Sequence, residues 1–580
     1  MGVWEDVAEN VFPSHTPTHP YSHTTTKTVM PKSRLLFTVL LLLSATPATA
    51  QPTGQAFTDQ IDALFAAWDT PTSPGAALAV LQDGEVVYKR GYGMANLAYD
   101  IPITSATVFD IASVSKQFCA FAVAMLAEQG KLSLDDDVRR YIPEAPDFGK
   151  TITIRHLVHH TSGLRDWPGT LAMAGWQMED VISFDQILTM VRHQKTLNFD
   201  PGAEYSYSNT GYNLLAEVVA RVTGQSFRAW TEAHLFKPLG MVHTHFHDDH
   251  EMVVKNRAYA YSPTRNGFER VGNGLTALGS SSLFTSIDDL VKWVQNFRAP
   301  RVGGQVVVDQ VHQQGVLNNG DQIAYAFGHS IGTYQGLKTV AHSGSWAGFR
   351  TYLVRFPEQD VAVIVLSNAS NFNPTRKARQ VAELYLAEQM VMEEPATLPP
   401  TPVAVDPALF DDYVGTYQLG PGWLVTITRQ GNGLMAQATD EPKFEMTPTS
   451  DTQFFVEAYG AAIDFKRDPS GTVTHIEYRN IRAPRVELFE PSTDDLAAFE
   501  GAYFSEELDA TYTLVVEDGV LKARHRRLAD ATLSPTITDT FTTNTWFMRS
   551  VHFVRDRSRR VTGFDASNGR SRNVRFEKVR

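Results

Sequence analysis

A mixed α/β domain followed by two small antiparallel β-barrels is the fold class that this 580-residue sequence predicts. Three observations carry it. Helical and strand-like apolar patterns are interspersed up to Met390. Pro395, Pro399, Pro400, Pro402 and Pro407 then mark a stiff linker. Beyond it, short alternating runs are separated by Gly, Asn and Asp turns, and the text repeats. Tyr413, Gly415 and Tyr417 recur as Phe499, Gly501 and Tyr503, and Phe465-Lys466-Arg467-Asp468 recurs as Phe553-Val554-Arg555-Asp556. The expected division is an upstream extension and leader over 1–50, a first domain over 51–394, the linker over 395–408, and β domains over 409–490 and 491–580.

Within the first domain, residues 75–80 and 85–88 are β-prone and flank Gln82-Asp83-Gly84, a hairpin signal. From Ser113, the apolar residues Phe118, Phe121, Ala122, Met125 and Leu126 follow a helical period that Gly130 stops. Further helices are expected over 210–223, 287–297 and 378–390. The continuous apolar run 361–366 suits a buried strand.

Composition narrows the function. Hydrophobic residues at 43% and charged residues at 20% are those of a globular chain, and the net charge of −13 repels nucleic acid. The single Cys119 excludes an intramolecular disulfide and any multi-cysteine metal centre. Residues 30–50 carry Lys32 and Arg34, an apolar run from Leu35 to Leu43, and Ala48-Thr49-Ala50, the pattern of a cleavable export signal. Periplasmic or secreted location is therefore expected, with the mature chain starting near Gln51 and residues 1–29 an upstream mis-start. His15, His19 and His23 in that stretch have no spacing that puts them on one face.

Three short elements carry chemistry. Ser113-Val114-Ser115-Lys116 is a Ser-x-x-Lys at a helix start, where residues three apart share a face and an amine can take a hydroxyl proton. Tyr207-Ser208-Asn209 precedes a helical run; it suits a cap, but it also offers a phenol to move protons if a nearby Lys lowers its pKa, and an amide to hold a substrate carbonyl. His342-Ser343-Gly344 comes before an apolar strand, where Gly344 would let a substrate backbone approach and the Ser345 amide could join that of Ser113 in an oxyanion hole.

In this order the three elements resemble the serine β-lactamase and penicillin-binding-protein family, especially the group of class C β-lactamases, DD-peptidases, D-aminopeptidases and related esterases. Similar text runs through Pro74-Gly75-Ala76, Gly91-Tyr92-Gly93, His159-His160-Thr161-Ser162-Gly163-Leu164, Pro238-Leu239-Gly240-Met241 and Leu366-Ser367-Asn368, over roughly residues 60 to 390. The resemblance implies a sandwich of an antiparallel sheet and a helical lobe with the site between them. It makes Ser113 the acylated nucleophile, Lys116 its proton partner and Tyr207 the proton shuttle. Asn209, His342, Ser343 and Gly344 would bind substrate, and the amides of Ser113 and Ser345 would hold the oxyanion. No cofactor and no metal are implied.

His342 departs from the Lys-Thr-Gly of β-lactamases, and a mostly neutral imidazole lacks the fixed cation that draws a substrate carboxylate. His-x-Gly is similar to D-aminopeptidases, which also carry two C-terminal barrels; the resemblance implies that a barrel loop reaches toward Ser113. The expected function is an exported serine hydrolase acting on an amide or ester of a small or D-amino-acid-containing molecule or peptide. The alternatives are a β-lactamase proper and a penicillin-recognising sensor or scaffold that turns over slowly or not at all. Alternation would set His243, His245 and His247 on one strand face, a zinc pattern also compatible with a polar surface segment. The segment 524–580 holds 13 Lys plus Arg against 5 Asp plus Glu, suited to a solvated barrel exterior or to contact with anionic wall polymer or membrane surface.

Overall fold

The computed structural model describes residues 54–391 and 402–579 except 421, 440 and 480. The upstream extension and leader expected over residues 1–50, and residues 395–401 of the Pro-rich linker, lie outside the described residues. Ahead of Trp68, a helix, α1, spans Gly54–Phe65.

The rest of the first domain is organised by one antiparallel sheet. Its strands are β1 (Ala76–Gln82), β2 (Glu85–Tyr92), β3 (Ser330–Tyr334), β4 (Leu337–Trp346), β5 (Phe349–Phe356) and β6 (Val361–Ser367), in the order β3-β4-β5-β6-β1-β2. The expected first hairpin is present: Asp83 and Gly84 both take positive φ, at 53° and 80°, the turn whose twist matches two adjacent strands. The strand expected from the apolar run is β6, buried at every residue and paired on both sides, with β5 and with β1.

The helices that bear on the site include α2 (Lys116–Glu128), α3 (Trp167–Met173), α4 (Asn209–Thr223), α5 (Ile287–Arg298) and α6 (Pro374–Leu386). α2 is central. Phe118, Cys119, Ala120, Phe121, Ala122, Val123 and Ala124 are all fully buried, so its expected apolar stripe widens into a helix enclosed on every side. Phe118 stacks on Trp293 of α5 at 4.1 Å, and α5 packs on β1 and β6. α6 begins four residues earlier than expected, because the Asn373 side chain caps it and Pro374 is tolerated in a first turn that donates no hydrogen bond.

Two closed eight-stranded antiparallel barrels follow, the first from Gly415–Gly420 to Ile481–Val486 and the second from Gly501–Ser505 to Val574–Lys578. The repeated residues are the barrels' shared scaffold. Tyr417 and Tyr503 are fully buried and donate to the carbonyls of Tyr413 and Phe499, while Phe465 and Phe553 pack beside them.

In the basic segment 524–580, Arg555 lies in the strand Ser550–Arg555 and is bound to Asp539, and Arg557 and Arg559 follow outside that strand. Arg527, Arg570 and Arg572 pair with Asp180, Asp166 and Glu204 of the first domain. The second barrel is further anchored by Glu507, whose carboxylate meets Arg165 at 2.7 Å with both side chains almost wholly buried. The Arg165 guanidinium also donates to the carbonyls of Thr196 and Arg572.

Glu507→Ala should leave the Arg165 charge unpaired in a dry interface and cost about 3–5 kcal/mol, measured as a lowered urea midpoint. Arg165→Met with Glu507→Leu should recover part of that loss. An unchanged midpoint in the single variant would contradict this account.

Candidate active site

Ser113 lies on a tight turn held from several sides. The short strand Phe109–Asp110 pairs with Leu283–Thr285, and the chain then enters a 3₁₀ turn, Ala112–Ser115, from which α2 continues. Ala112 takes a φ of 49°, a conformation disfavoured for any residue with a Cβ. Asp110 stabilises it by accepting the Ala112 N–H at 2.8 Å, and its other oxygen accepts from Asn273. Burial pushes the Asp110 carboxyl up to about 6 against these hydrogen bonds.

In a 3₁₀ turn residues i and i+3 eclipse, so the first residue of α2 stands directly over Ser113. The Lys116 Nζ lies 3.0 Å from Ser113 Oγ, 2.8 Å from Asn209 Oδ1 and 2.7 Å from the carbonyl oxygen of Ser280. The Lys116 side chain is fully buried, and desolvation holds its pKa well below the usual lysine range. Asp166 opposes this and Arg570 reinforces it. A neutral amine has two N–H donors and one lone pair. The carbonyls of Asn209 and Ser280 take the donors, and the lone pair is left for the Ser113 hydroxyl.

Tyr207 sits on the loop before α4, its ring 4.7 Å from Lys116 Nζ. The expectation that lysine would lower its pKa is overturned. Burial raises the phenol far more than its hydrogen bond to Ser113 lowers it, so Tyr207 is a neutral O–H group. The His160 ring lies 4.3 Å from that of Tyr207, and its Nδ1 accepts the Ser208 N–H. Ser208, rather than Asn209, caps α4.

Asn209, expected to hold a substrate carbonyl, is bound on both sides of its amide by protein groups. Its Oδ1 faces Lys116, its Nδ2 donates to Asp166 Oδ2 at 3.1 Å, and its backbone N–H donates to Asp166 Oδ1 at 2.7 Å. It connects the lysine to a buried carboxylate. Burial raises the Asp166 pKa, opposed by Arg570 and the Asn209 N–H.

His342 lies in β4, its ring 6.2 Å from that of Tyr207. Nδ1 is 2.6 Å from the carbonyl oxygen of Ser343, so it carries the proton; Nε2 accepts from Tyr325 Oη at 3.0 Å. Burial brings the imidazole down to about 3, with Lys116 a further cause. His342 is thus a neutral ring with both nitrogens bound to protein. Ser343, Gly344 and Ser345 pair with Tyr352, Thr351 and Arg350 of β5, whereas the ladder with β3 stops at Ala341. The β4 edge from His342 onward therefore has no strand partner among the described residues. Gly344 is also demanded by packing: a Cβ there would lie 2.3 Å from the Ile111 carbonyl oxygen and 2.2 Å from Thr351 Oγ1, so the bare Cα admits the turn that carries Ser113.

The histidine series after Met241 does not form a strand face. Only His245–Phe246 is extended; His245 and His247 face each other at 3.3 Å, and His247 packs on Phe284. Among the described residues no group of three or more His, Cys, Asp or Glu side chains is placed to hold a metal ion.

Sequence reasoning missed Asp110, Asp166, Tyr325 and Arg570. The last comes from the second barrel. Arg570 stands between the strands Val561–Ser567 and Val574–Lys578; its guanidinium is 4.8 Å from the Tyr207 ring centroid and 3.5 Å from Asp166 Oδ2. The carbonyl of Arg570 accepts from the Asp166 N–H and from Asn198 Nδ2. Ser571 Oγ is 2.7 Å from Thr170 Oγ1 on α3.

Comparison with known proteins agrees with this geometry. The Beta-lactamase family model matches residues 61–388, and a domain of unknown function, DUF3471, matches 399–490. A penicillin-binding protein of Bacillus subtilis (strain 168) is 28% identical over 428 residues, 70% of this chain and 93% of the relative. A D-aminopeptidase of Gluconobacter oxydans (strain 621H) is 26% identical over 464 residues, 77% of this chain and 83% of the relative. The octameric penicillin-binding protein homologue from Pyrococcus abyssi shares the fold with a TM-score of 0.52 at 20% identity, over 82% of this chain and 98% of its own. With a family match over more than half its length, this chain belongs to the Beta-lactamase family and is a serine hydrolase of the β-lactamase/DD-peptidase type.

Proposed function

We propose that the chain is an exported hydrolase that forms an acyl-enzyme on Ser113 and cleaves an amide or ester of a small or D-amino-acid-containing substrate. The observation that carries this reading is the buried Lys116 amine, 3.0 Å from Ser113 Oγ with its other two contacts on carbonyl oxygens. Ser113 Oγ attacks the substrate carbonyl as its proton passes to the Lys116 lone pair. The amides of Ser113 and Ser345 are assigned to the developing oxyanion, a role that the close packing of β4 on the 112–115 turn supports. The neutral Tyr207 hydroxyl then relays a proton from Lys116 to the departing amine or alkoxide, and the acyl–Oγ bond is broken by water in the reverse sense.

Relatives named as D-aminopeptidases support amides with a D-residue as substrates. The neutral, fully bonded His342 disfavours the fixed-cation pocket of a β-lactamase. Export rests on the leader pattern of residues 30–50.

A fluorophosphonate probe should label Ser113, and Ser113→Ala should abolish both labelling and turnover of D-amino amides and short esters. Label mapped to another residue would refute the mechanism. Lys116→Ala and Tyr207→Phe should each slow turnover by about two to four powers of ten; near-normal rates would remove the assigned role.

The pH profile tests the lysine independently. Lys116 acts as the free amine, so activity appears as pH rises through its lowered pKa. Asp166 raises that pKa and Arg570 lowers it. Asp166→Asn should therefore move the acid limb of kcat/KM to lower pH. A shift to higher pH would contradict the assignment of that limb to Lys116.

A further inference from the structure

We infer that Arg570, delivered by the second barrel, is a specificity-determining residue that selects substrates bearing a carboxylate. The inference rests on the hydrolase reading above, and it adds the charge class of the substrate.

The position where this family's β-lactamases carry a cation holds a neutral imidazole bound on both nitrogens. Lys116, the cation-forming group nearest the nucleophile, is fully enclosed and committed to Ser113, Asn209 and Ser280. Arg570 differs in both respects. Its guanidinium stacks against Tyr207 at 4.8 Å, yet 37% of the side chain is open. It reaches Asp166 with one nitrogen at 3.5 Å, a long contact that leaves most of its five N–H donors unused there. Asp166 meanwhile has its shorter hydrogen bonds from Asn209. A half-open guanidinium beside the proton-relay tyrosine is a fork suited to a carboxylate.

The backbone around Arg570 is fixed in a way that a solvent loop is not. The carbonyl of Arg570 takes two hydrogen bonds from the first domain, its neighbour Ser571 meets Thr170, and Asn568 fills the space where a Cβ on Gly169 would lie. Arg572 adds an ion pair to Glu204 at 3.0 Å. The cation is therefore held in place before any substrate arrives, so little ordering remains to be done on binding. The same charge repels a free α-ammonium group.

The test uses the full chain and D-alanine p-nitroanilides that differ in one group: N-succinyl, carrying a carboxylate; N-succinamoyl, of equal size and uncharged; and the free amine. A second matched pair places the carboxylate or carboxamide on the leaving group. The readout is the ratio of kcat/KM within each set, which cancels any change in the chemical step. We expect the carboxylate to be favoured roughly tenfold over its carboxamide in at least one pair, mainly through KM. Rising ionic strength should erode the preference. Arg570→Gln should bring the ratio near one, Arg570→Lys should keep part of it, and Arg570→Glu should invert it toward the free amine.

A wild-type ratio near one in both pairs, or a preference that survives in Arg570→Gln, would overturn the inference. The wild-type ratio and its salt dependence decide the matter even where a variant fails to fold, which loss of Ser113 labelling would reveal. If the uncharged anilides are turned over without charge preference, only the Arg570 assignment falls. If wild-type Ser113 is neither labelled nor required for any turnover, the hydrolase reading falls with it.

Discussion

Taking a lysine amine wholly out of water is the constraint around which this active site is built. Burial disfavours the charged ammonium and holds the lysine pKa well below its usual range, and each polar partner the amine has must be supplied by the protein. The carbonyl oxygens of Asn209 and Ser280 do this, and the first of them is oriented through Asp166. Ser113 is brought beneath the amine by a 3₁₀ turn entered through a left-handed alanine. That strained entry persists because Asp110 accepts the alanine N–H and β4 presses on the turn where Gly344 has no side chain. The geometry of the candidate site is thus a consequence of burial and close packing, enforced by residues well beyond Ser113 and Lys116.

This explains what could and could not be read from the sequence. Ser113 and Lys116 were legible because a turn or helix places i and i+3 together whatever surrounds them. β6 and the buried face of α2 were legible from apolar runs, and the barrels from their repeated aromatic residues, which recur because each closes the same kind of core. The start of α6 was missed because Asn373 and Pro374 act at its first turn, while the apolar period becomes evident only from Ala378. The environment of each site residue was not legible. Tyr207 was expected to be acidified by a neighbouring lysine, but burial depends on how many elements converge, here His160, Tyr325 and Lys116 from separate segments. Nothing local to Asn209 shows that Asp166 will accept from its amide.

Arg570 was the least legible group, since it approaches from a different domain. The two barrels show where it lies in the architecture. In the first, the last two strands, Val473–Tyr478 and Ile481–Val486, are joined through residues 479–480. In the second, the corresponding strands Val561–Ser567 and Val574–Lys578 are joined through residues 568–573. The closed scaffold is the same, but this hairpin loop is longer, and its residues are those that meet Asp166, Thr170, Asn198 and Glu204. A closed barrel tolerates such a loop because it lies outside the ladder that holds its core.

That arrangement couples docking to chemistry. The groups that seat the second barrel include Asp166, whose carboxylate orients Asn209 and whose own N–H bonds to the longer loop. Movement of the barrel would therefore change the environment of Lys116 through one intervening amide, even though no barrel residue donates to or accepts from Lys116 among the described contacts. The buried pairing of Arg165 with Glu507 opposes such movement. Arg165 directly precedes Asp166, so the anchor and the electrostatic contact are adjacent in the chain and cannot shift independently. A barrel anchored through these contacts forms part of the wall beside the candidate site.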